Sequence, residues 1–340
     1  MKVLFIGGTG TISTSCSDLC IKKGMDLWII NRGNRSWRLR KEANFIAADI
    51  NNEYGKVSAL LNKHKWDCVV DWVAFTPEQI QRDINLFIGK TKQYVFISSA
   101  SVYKGASPGS RIKEGDQVDN AIAAPYAEHK LECEKILLSE HKKNKFPAVI
   151  VRAGHTYSEF TIPTNIWGLG YKLVERIKNG ESVIVHDNGL SLWTFTHSSD
   201  FASGFSGLIG LKQASGEIFH ITSPEVLTWL EIFKVFEDLL GVKAKLEFIP
   251  SRAIYEIHKD IGSSLLGDKA KNLVFDNSKI KNFVKEFNPK VLFKQGLRQA
   301  LGWHDKNPDK IFSKEGVNSI VDYIIVSYRK RVRSNEFSAK

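Results

Sequence analysis

The pattern of apolar and polar positions predicts an α/β fold for the first half of the chain. Short apolar runs alternate there with longer stretches that have helical spacing. The pattern predicts six strands, at Lys2–Ile6, Asp26–Ile30, Asn44–Ala48, Cys68–Val73, Tyr94–Ile97 and Pro147–Val151. Continuous apolar strands separated by helices are typical of a parallel sheet that helices cover on both faces. We therefore expect a doubly wound parallel sheet.

The alternation loosens after Gly154, and this change divides the chain into two predicted units. The predicted sheet domain comprises residues 1–160 and 194–225, and a smaller C-terminal lobe expected to bind substrate comprises residues 161–193 and 226–325. Residues 326–340 form a basic tail, for which solvated fraying is expected. No apolar run of about 18 residues and no secretory signal is present, so no membrane partner is expected. The four cysteines lack disulfide or metal-ligand spacing, which predicts a cytoplasmic protein without a metal site.

A glycine-rich segment follows the first predicted strand directly and begins a helix. Glycine allows a tight turn and a close backbone approach, and a helix N-terminus presents free N–H groups to a pyrophosphate. This strand–turn–helix context predicts a Rossmann-type site for a nicotinamide dinucleotide. The predicted pyrophosphate contacts are Gly7, Thr9, Gly10, Thr11 and Ile12.

The end of the second predicted strand indicates which dinucleotide is preferred. A carboxylate at this place would bind the ribose hydroxyls of NAD, but the chain has Asn31, Arg32 and Arg35 there. Guanidinium groups can pair with a 2′-phosphate, so NADP is favoured, with NAD as the alternative. The remaining predicted cofactor contacts follow the third and fourth strands: Asp49, as acceptor for the adenine amine, Ile50, Val73 and Ala74.

Tyr126 and Lys130 stand four residues apart at the start of the predicted helix Tyr126–Ser139 and therefore share one of its faces. A nearby ammonium favours a phenolate, so Lys130 is expected to lower the pKa of Tyr126 from its ordinary value of about 10. Tyr126 then serves as a general acid or base on a substrate hydroxyl or carbonyl. Lys130 can also hold the nicotinamide ribose, and a serine from the preceding strand end can hydrogen-bond the reacting oxygen.

These motifs resemble the extended short-chain dehydrogenase/reductase superfamily, in particular its NAD(P)-dependent sugar epimerase/dehydratase group. The resemblance covers nearly the whole chain and rests on Gly7–Ser13, Tyr94–Tyr103, Tyr126–Lys130, Val149–Tyr157, Thr196–Ala202 and Asp276–Lys279. It implies that Tyr126 is the catalytic acid/base, Lys130 its partner and Ser99 the catalytic hydroxyl. It also implies a sugar or sugar-nucleotide substrate and a homodimer.

Three departures from the family pattern bear on the substrate. Family members that dehydrate a nucleotide sugar across positions 4 and 6 resemble Thr-Asp-Glu where this chain has Ser99, Ala100 and Ser101, which argues against a 4,6-dehydratase. His155 replaces an asparagine, and Trp193 stands where an arginine often clamps the substrate diphosphate. Ser101, His155 and Trp193 are therefore candidate substrate contacts, with ordinary packing in the lobe as the alternative for the last two.

The net charge of +11, from 48 basic and 37 acidic residues, leaves other functions open. Residues 67–104 also resemble a chloroplast stem-loop RNA-binding branch of the superfamily. As that resemblance goes, the branch has lost the Tyr/Lys pair, which Tyr126 and Lys130 retain here, so nucleic acid is not expected as the main partner. A cofactor-bound redox regulator without turnover is a third interpretation. The sequence does not choose between epimerisation and net oxidation or reduction.

Overall fold

Seven parallel strands form the central sheet of the protein. A computed structural model describes residues 1–107, 109–118, 126–311 and 313–338. The sheet contains β1 (Lys2–Ile6), β2 (Asp26–Asn31), β3 (Asn44–Ala47), β4 (Cys68–Asp71), β5 (Tyr94–Ser99), β6 (Ala148–Ala153) and β11 (Ile218–Ile221). Their order is β11-β6-β5-β4-β1-β2-β3, which is the arrangement of a doubly wound dinucleotide-binding sheet. The predicted fold class is confirmed.

Helices cover both faces of this sheet because successive side chains of each strand point to opposite sides. Val3 and Phe5 of β1 face a core formed with α1 (Ser13–Lys22) and α6 (Ser198–Leu208). Leu4 and Ile6 face the opposite core. That second core is formed with α2 (Tyr54–Leu61), α3 (Pro77–Phe87) and α4 (Tyr126–Asn144). The four cysteines are buried free thiols.

The remaining elements pack around a third hydrophobic core, in the region predicted as the second lobe, or connect it to the sheet. They are β7 (His155–Tyr157), α5 (Lys172–Lys178), β8 (Ser182–His186), β9 (Leu192–Trp193), β10 (Phe195–His197), β12 (Leu227–Thr228), α7 (Trp229–Leu240), β13 (Lys245–Ile249), α8 (Ser251–Ile257), α9 (Lys259–Ser264), α10 (Ser278–Phe283), α11 (Phe293–Lys306) and α12 (Val317–Ser338). Aromatic side chains such as Trp193, Trp229 and Phe293 fill the core of the lobe. Helix α10 instead packs against α6 and β11, so this part of the predicted lobe lies on the sheet domain.

The basic C-terminal segment is helical rather than frayed. Its residues up to 338 continue α12, and residues 339–340 lie outside the described part of the chain. Arg329 pairs with Glu247 at 2.6 Å and Arg331 with Glu256 at 3.4 Å, so two of the basic side chains are held by acidic partners on β13 and α8. Within the described residues, no helix combines the length and apolar character needed to cross a bilayer.

Candidate active site

The turn between β1 and α1 has the backbone of a phosphate-binding loop. Gly7 and Gly8 have φ values of +110° and +89°, a region that favours glycine. A Cβ atom on Gly7 would lie 3.0 Å from Cβ of Trp72, so a side chain there would crowd the residue that follows β4. Ser13 Oγ accepts a hydrogen bond from the Gly10 N–H at 2.8 Å. Helix α1 therefore begins directly after a glycine turn, and its first N–H groups lie where an anion site requires them.

A cavity of about 580 Å³ runs from this turn to the carboxyl ends of β4 and β5. The structure brings most of the predicted cofactor and catalytic residues together on its wall. These are Gly7, Thr9, Gly10, Thr11, Ile12, Asn31, Arg32, Arg35, Val73, Ser99, Tyr126 and Lys130. Asn31 also supports the turn, because its side-chain amide donates to the Gly7 carbonyl at 2.9 Å.

Lys130 lies beneath the cavity with only 2% of its surface exposed. Its ammonium donates to the carbonyl oxygens of Ala74 at 2.7 Å and Ile97 at 2.8 Å. It also lies 4.4 Å from the centre of the Phe75 ring, in a cation–π contact. Burial lowers the pKa of Lys130 to about 8, because leaving water penalises the charged form. The ammonium is therefore cationic at neutral pH but close to its titration range.

Tyr126 begins α4 and lies on the cavity wall beside Ser99. Although 45% of the Tyr126 surface is exposed, partial desolvation raises the pKa of its phenol, and the Ser99 hydroxyl acts in the opposite direction. The expected lowering by Lys130 is not found, because the Lys130 ammonium faces two carbonyls and is 5.9 Å from the centre of the phenol ring. Ser99 Oγ is in turn hydrogen-bonded to Ser101 Oγ at 2.8 Å, so Ser101 lies behind Ser99 rather than on the wall.

Asp49, Ile50 and Ala74 do not line the cavity. The Asp49 carboxylate accepts the N–H of Asn51 at 2.9 Å and fixes the turn before α2. Ile50 is 5% exposed and packs in the core. Ala74 contributes its carbonyl to Lys130 instead of a wall surface. Asp49 was expected to bind the adenine amine, and Ile50 was expected to contact the cofactor. Instead, the Asp49 carboxylate binds within its own turn and Ile50 packs in the core.

His155 and Trp193 pack against each other, edge to face, with ring centres 5.7 Å apart. Trp193 is 3% exposed, does not line the cavity and contacts Trp229 in the lobe core, which favours packing, the alternative to a substrate contact. His155 follows Gly154, which does line the cavity. Burial lowers the pKa of His155 to about 3, so the ring is neutral at physiological pH.

Sequence reasoning missed several residues of the cavity wall. Trp72, Phe75, Ser98, Ala153 and Gly154 all line it. Each lies at or just after the carboxyl end of a sheet strand. That position is where ligands bind in open α/β sheets, so the strand ends were a usable signal.

A cluster of aromatic and cationic side chains borders the phosphate turn; we call Trp37, Arg38, Phe160 and Trp303 the clasp. Trp37 stacks on Trp303 with ring centres 5.8 Å apart, and Arg38 lies over Trp37 and Phe160 at 4.6 and 4.4 Å. The Arg38 guanidinium also donates to the Thr9 carbonyl at 3.3 Å. The clasp therefore joins the loop after β2 to the C-terminal half of the chain.

A buried ion pair supports the wall below Ser98. The Glu134 carboxylate accepts hydrogen bonds from Ser98 Oγ at 2.6 Å and from Arg152 Nε and Nη2 at 3.0 and 2.7 Å. Both charged side chains are about 4% exposed. Arg152 also lies over the Tyr103 ring at 4.8 Å. Helix α4, which carries Tyr126 and Lys130, is thereby fixed to β5 and β6.

The chain matches known proteins in sequence and in fold. The family model "NAD dependent epimerase/dehydratase family" matches residues 3–222. The chloroplast stem-loop binding protein of 41 kDa b from Arabidopsis thaliana is 27% identical over 248 residues, which cover 67% of this chain and 60% of that protein. The dTDP-D-glucose 4,6-dehydratase of Mus musculus is 21% identical over 224 residues, which cover 64% of this chain and 56% of the mouse protein. The chain thus spans less than two thirds of the length of both relatives.

Among solved structures, UDP-glucuronic acid 4-epimerase from Bacillus cereus, in complex with UDP-glucuronic acid and NAD, has a TM-score of 0.73. It is 20% identical, and the superposition covers 90% of this chain and 99% of that one. This likeness is one of fold. A 4,6-dehydratase among the relatives means that the comparisons do not support the expected exclusion of that reaction. The family model covers more than half of the chain, and the chain belongs to the NAD dependent epimerase/dehydratase family.

Proposed function

We propose that this protein transfers a hydride between a nicotinamide dinucleotide and a sugar or sugar nucleotide, as an epimerase or as an oxidoreductase. The strongest support for this proposal is one observation about the cavity. A single cavity joins the glycine turn at Gly7 to the side chains of Ser99, Tyr126 and Lys130. A pyrophosphate site and a proton-transfer site on one wall are what nicotinamide chemistry requires.

The residues present fit a dinucleotide. Gly7 and Gly8 have positive φ values, and a Cβ atom at Gly7 would be crowded by Trp72. The backbone of this turn therefore has the form that a backbone-bound pyrophosphate would use. The turn Thr9–Ile12 would hold the pyrophosphate, Arg32 and Arg35 the adenosine end, and Lys130 the nicotinamide ribose. When bound, the nicotinamide ring supplies or accepts the hydride.

The chain's own groups would handle the proton. Tyr126 gives a proton to, or takes one from, the substrate oxygen, and Ser99 hydrogen-bonds the same oxygen. The bond between Ser99 Oγ and Ser101 Oγ limits the directions in which Ser99 can point. Lys130, whose ammonium is bound to the carbonyls of Ala74 and Ile97, would serve the ribose rather than the phenol. Ala100 has no ionisable group, so elimination of water would need its acid and base from elsewhere in the cavity.

The test is conversion of sugar nucleotides by the dinucleotide-loaded protein, followed by proton NMR. A change of configuration at one carbon indicates an epimerase, whereas a change in nicotinamide absorbance indicates net oxidation or reduction. The Tyr126→Phe variant serves as the control for proton transfer. A protein that binds neither NAD⁺ nor NADP⁺ in a calorimetric titration would contradict the proposal.

The preference for NADP is a separate part of the proposal. Arg32 and Arg35 are exposed and line the cavity, whereas Arg40 of the same loop is paired with Asp18 at 2.5 Å. Replacing both Arg32 and Arg35 by alanine is expected to weaken NADP⁺ binding by roughly tenfold for each lost phosphate contact. NAD⁺ binding and the Arg40→Ala control should change little. Calorimetry that finds NAD⁺ bound more tightly than NADP⁺ by the unmodified protein would rule out this preference.

RNA binding is a second candidate function, favoured by the similarity to a plant protein named for stem-loop binding and by the charge of +11. Because Arg329 and Arg331 have acidic partners, part of the basic tail is neutralised locally. We therefore expect only weak binding of a labelled stem-loop RNA, falling by orders of magnitude as salt rises from low to physiological concentration. Fluorescence anisotropy measures this. Nanomolar affinity that persists at physiological salt would place RNA binding first.

A further inference from the structure

A fully buried carboxylate lies directly beneath the cavity wall. Asp71 is the last residue of β4 and has no exposed surface. Its Oδ1 atom accepts hydrogen bonds from the backbone N–H groups of Val73 at 2.6 Å and Ala74 at 2.8 Å. One carboxylate oxygen therefore sets the conformation of the turn that leaves β4.

The turn after β4 also holds the Lys130 ammonium. The carbonyl of Ala74, whose N–H is bound to Asp71, accepts the Lys130 ammonium at 2.7 Å. Phe75, the next residue, places its ring 4.4 Å from the same ammonium. The position of the ammonium thus depends on a turn that Asp71 fixes.

Asp71 also acts on Lys130 through its charge. Burial lowers the pKa of Lys130 to about 8, and the Asp71 carboxylate is the largest influence in the opposite direction. The other titratable groups near the ammonium lie on its own helix. Burial raises the pKa of the Cys133 thiol to about 12, so the thiol is neutral, and Glu134 is paired with Arg152. The Tyr126 phenol has a raised pKa and is also neutral.

Behind Asp71 lies a second buried acid, which gives a matched comparison. Asp83 of α3 has no exposed surface and accepts Arg82 Nε at 2.8 Å and the Tyr94 hydroxyl at 2.7 Å. Arg82 also lies 3.5 Å from Asp71. Burial, and next the Asp71 carboxylate, raise the pKa of Asp83 well above its usual range. The described contacts of Asp83 include none with Val73, Ala74 or Lys130.

We infer that Asp71 is a positioning residue that holds Lys130 in place and charged, and so sets the upper pH limit for dinucleotide binding and turnover. The inference rests on the proposed function, in which the Lys130 cation contacts the nicotinamide ribose. A cationic Lys130 is present below its titration point and is lost as pH rises through it. Removing the Asp71 charge lowers that point, so activity and binding should be lost at a lower pH.

The experiment compares Asp71→Asn with Asp83→Asn. Affinity for NADPH, followed by nicotinamide fluorescence from neutral to alkaline pH, gives a readout that does not depend on turnover. For Asp71→Asn, the alkaline loss of binding is expected to move down by roughly one pH unit, as expected for loss of an opposite charge near a buried group. For Asp83→Asn it should stay at the wild-type position, although a buried acid beside the same arginine is changed in both.

Two further variants keep the inference falsifiable. If Asp71→Asn alone fails to fold, Asp71→Ser removes the same charge and keeps a side-chain oxygen that can accept the N–H groups of the turn. It should show the same downward movement. In Lys130→Arg the alkaline loss should disappear, because a guanidinium does not titrate in this range.

The outcomes distinguish an error in the role of Asp71 from an error in the proposed function. A folded Asp71 variant that keeps the wild-type alkaline limit, or an Asp83→Asn variant that moves equally far, overturns the inference and leaves the proposed function standing. Failure of the wild-type protein to bind either dinucleotide overturns both. A downward movement confined to the Asp71 variants supports the role of Asp71.

Discussion

Replacing Tyr126 by phenylalanine is expected to lower turnover of a sugar substrate by about 10²-fold or more, while dinucleotide affinity stays near the wild-type value. The change removes the hydroxyl that we propose exchanges a proton with the substrate oxygen, whereas the phosphate turn, Ser99 and Lys130 are left intact. Stopped-flow or steady-state rates with the converted sugar nucleotide, together with a calorimetric titration, measure the two effects separately.

Tyr323→Phe is the matched control, because Tyr323 lies on α12 with 59% of its surface exposed and does not line the cavity. It should leave both rate and affinity unchanged. If Tyr126→Phe retains the full rate, proton transfer passes through another group and the catalytic role of Tyr126 is wrong. If instead it loses dinucleotide affinity to the same degree as rate, the hydroxyl serves binding rather than chemistry.

Replacing Arg152 by methionine is expected to lower the free energy of unfolding by about 3–5 kcal/mol. Among the residues that the structure describes, the variant leaves the buried Glu134 carboxylate with Ser98 as its one remaining side-chain hydrogen-bond donor. Isolated buried charges are costly, because the protein interior does not replace the lost solvation. Chemical denaturation followed by tryptophan fluorescence measures the change.

Arg329→Met provides the comparison for that prediction. Arg329 also makes a two-pronged contact with a glutamate, Glu247, at 2.9 and 2.6 Å, but it is 44% exposed. Its loss should cost no more than about 1 kcal/mol, since water screens the pair. Equal losses for the two variants would mean that burial does not distinguish these ion pairs. Adding Glu134→Leu to Arg152→Met should recover part of the stability.

The sheet could be predicted from sequence because its central strands β1, β4, β5 and β6 are buried on both faces and have nearly continuous apolar runs, whereas the edge strand β3 is largely exposed. The strand ends were less accurate, for identifiable reasons. β5 continues beyond Ile97 to Ser99, because Ser98 and Ser99 stay paired with β6 and Glu134 satisfies the Ser98 hydroxyl. β4 ends at Asp71 rather than Val73, because the Asp71 carboxylate binds the next N–H groups and turns the chain.

The candidate site was predictable where its residues follow one another in the chain. The glycine turn and the Tyr126/Lys130 spacing are local patterns, and both lie on the cavity wall. Contacts between distant segments could not be predicted in this way. The carbonyls that hold the Lys130 ammonium and the packing of Trp193 against Trp229 depend on how separate elements meet. Sequence spacing carries no information about such meetings.

The clasp has a kinetic consequence. A dinucleotide on the phosphate turn would lie near Arg38, which binds the Thr9 carbonyl and lies over the rings of Trp37 and Phe160, while Trp37 stacks on Trp303. Opening the clasp requires the stacked indoles to part and Arg38 to release the Thr9 carbonyl. We expect each of these contacts to slow dissociation of a bound dinucleotide and to lengthen its residence time. A dinucleotide that stays bound through many catalytic cycles would suit an epimerase, in which the hydride taken from a sugar is returned to the same sugar.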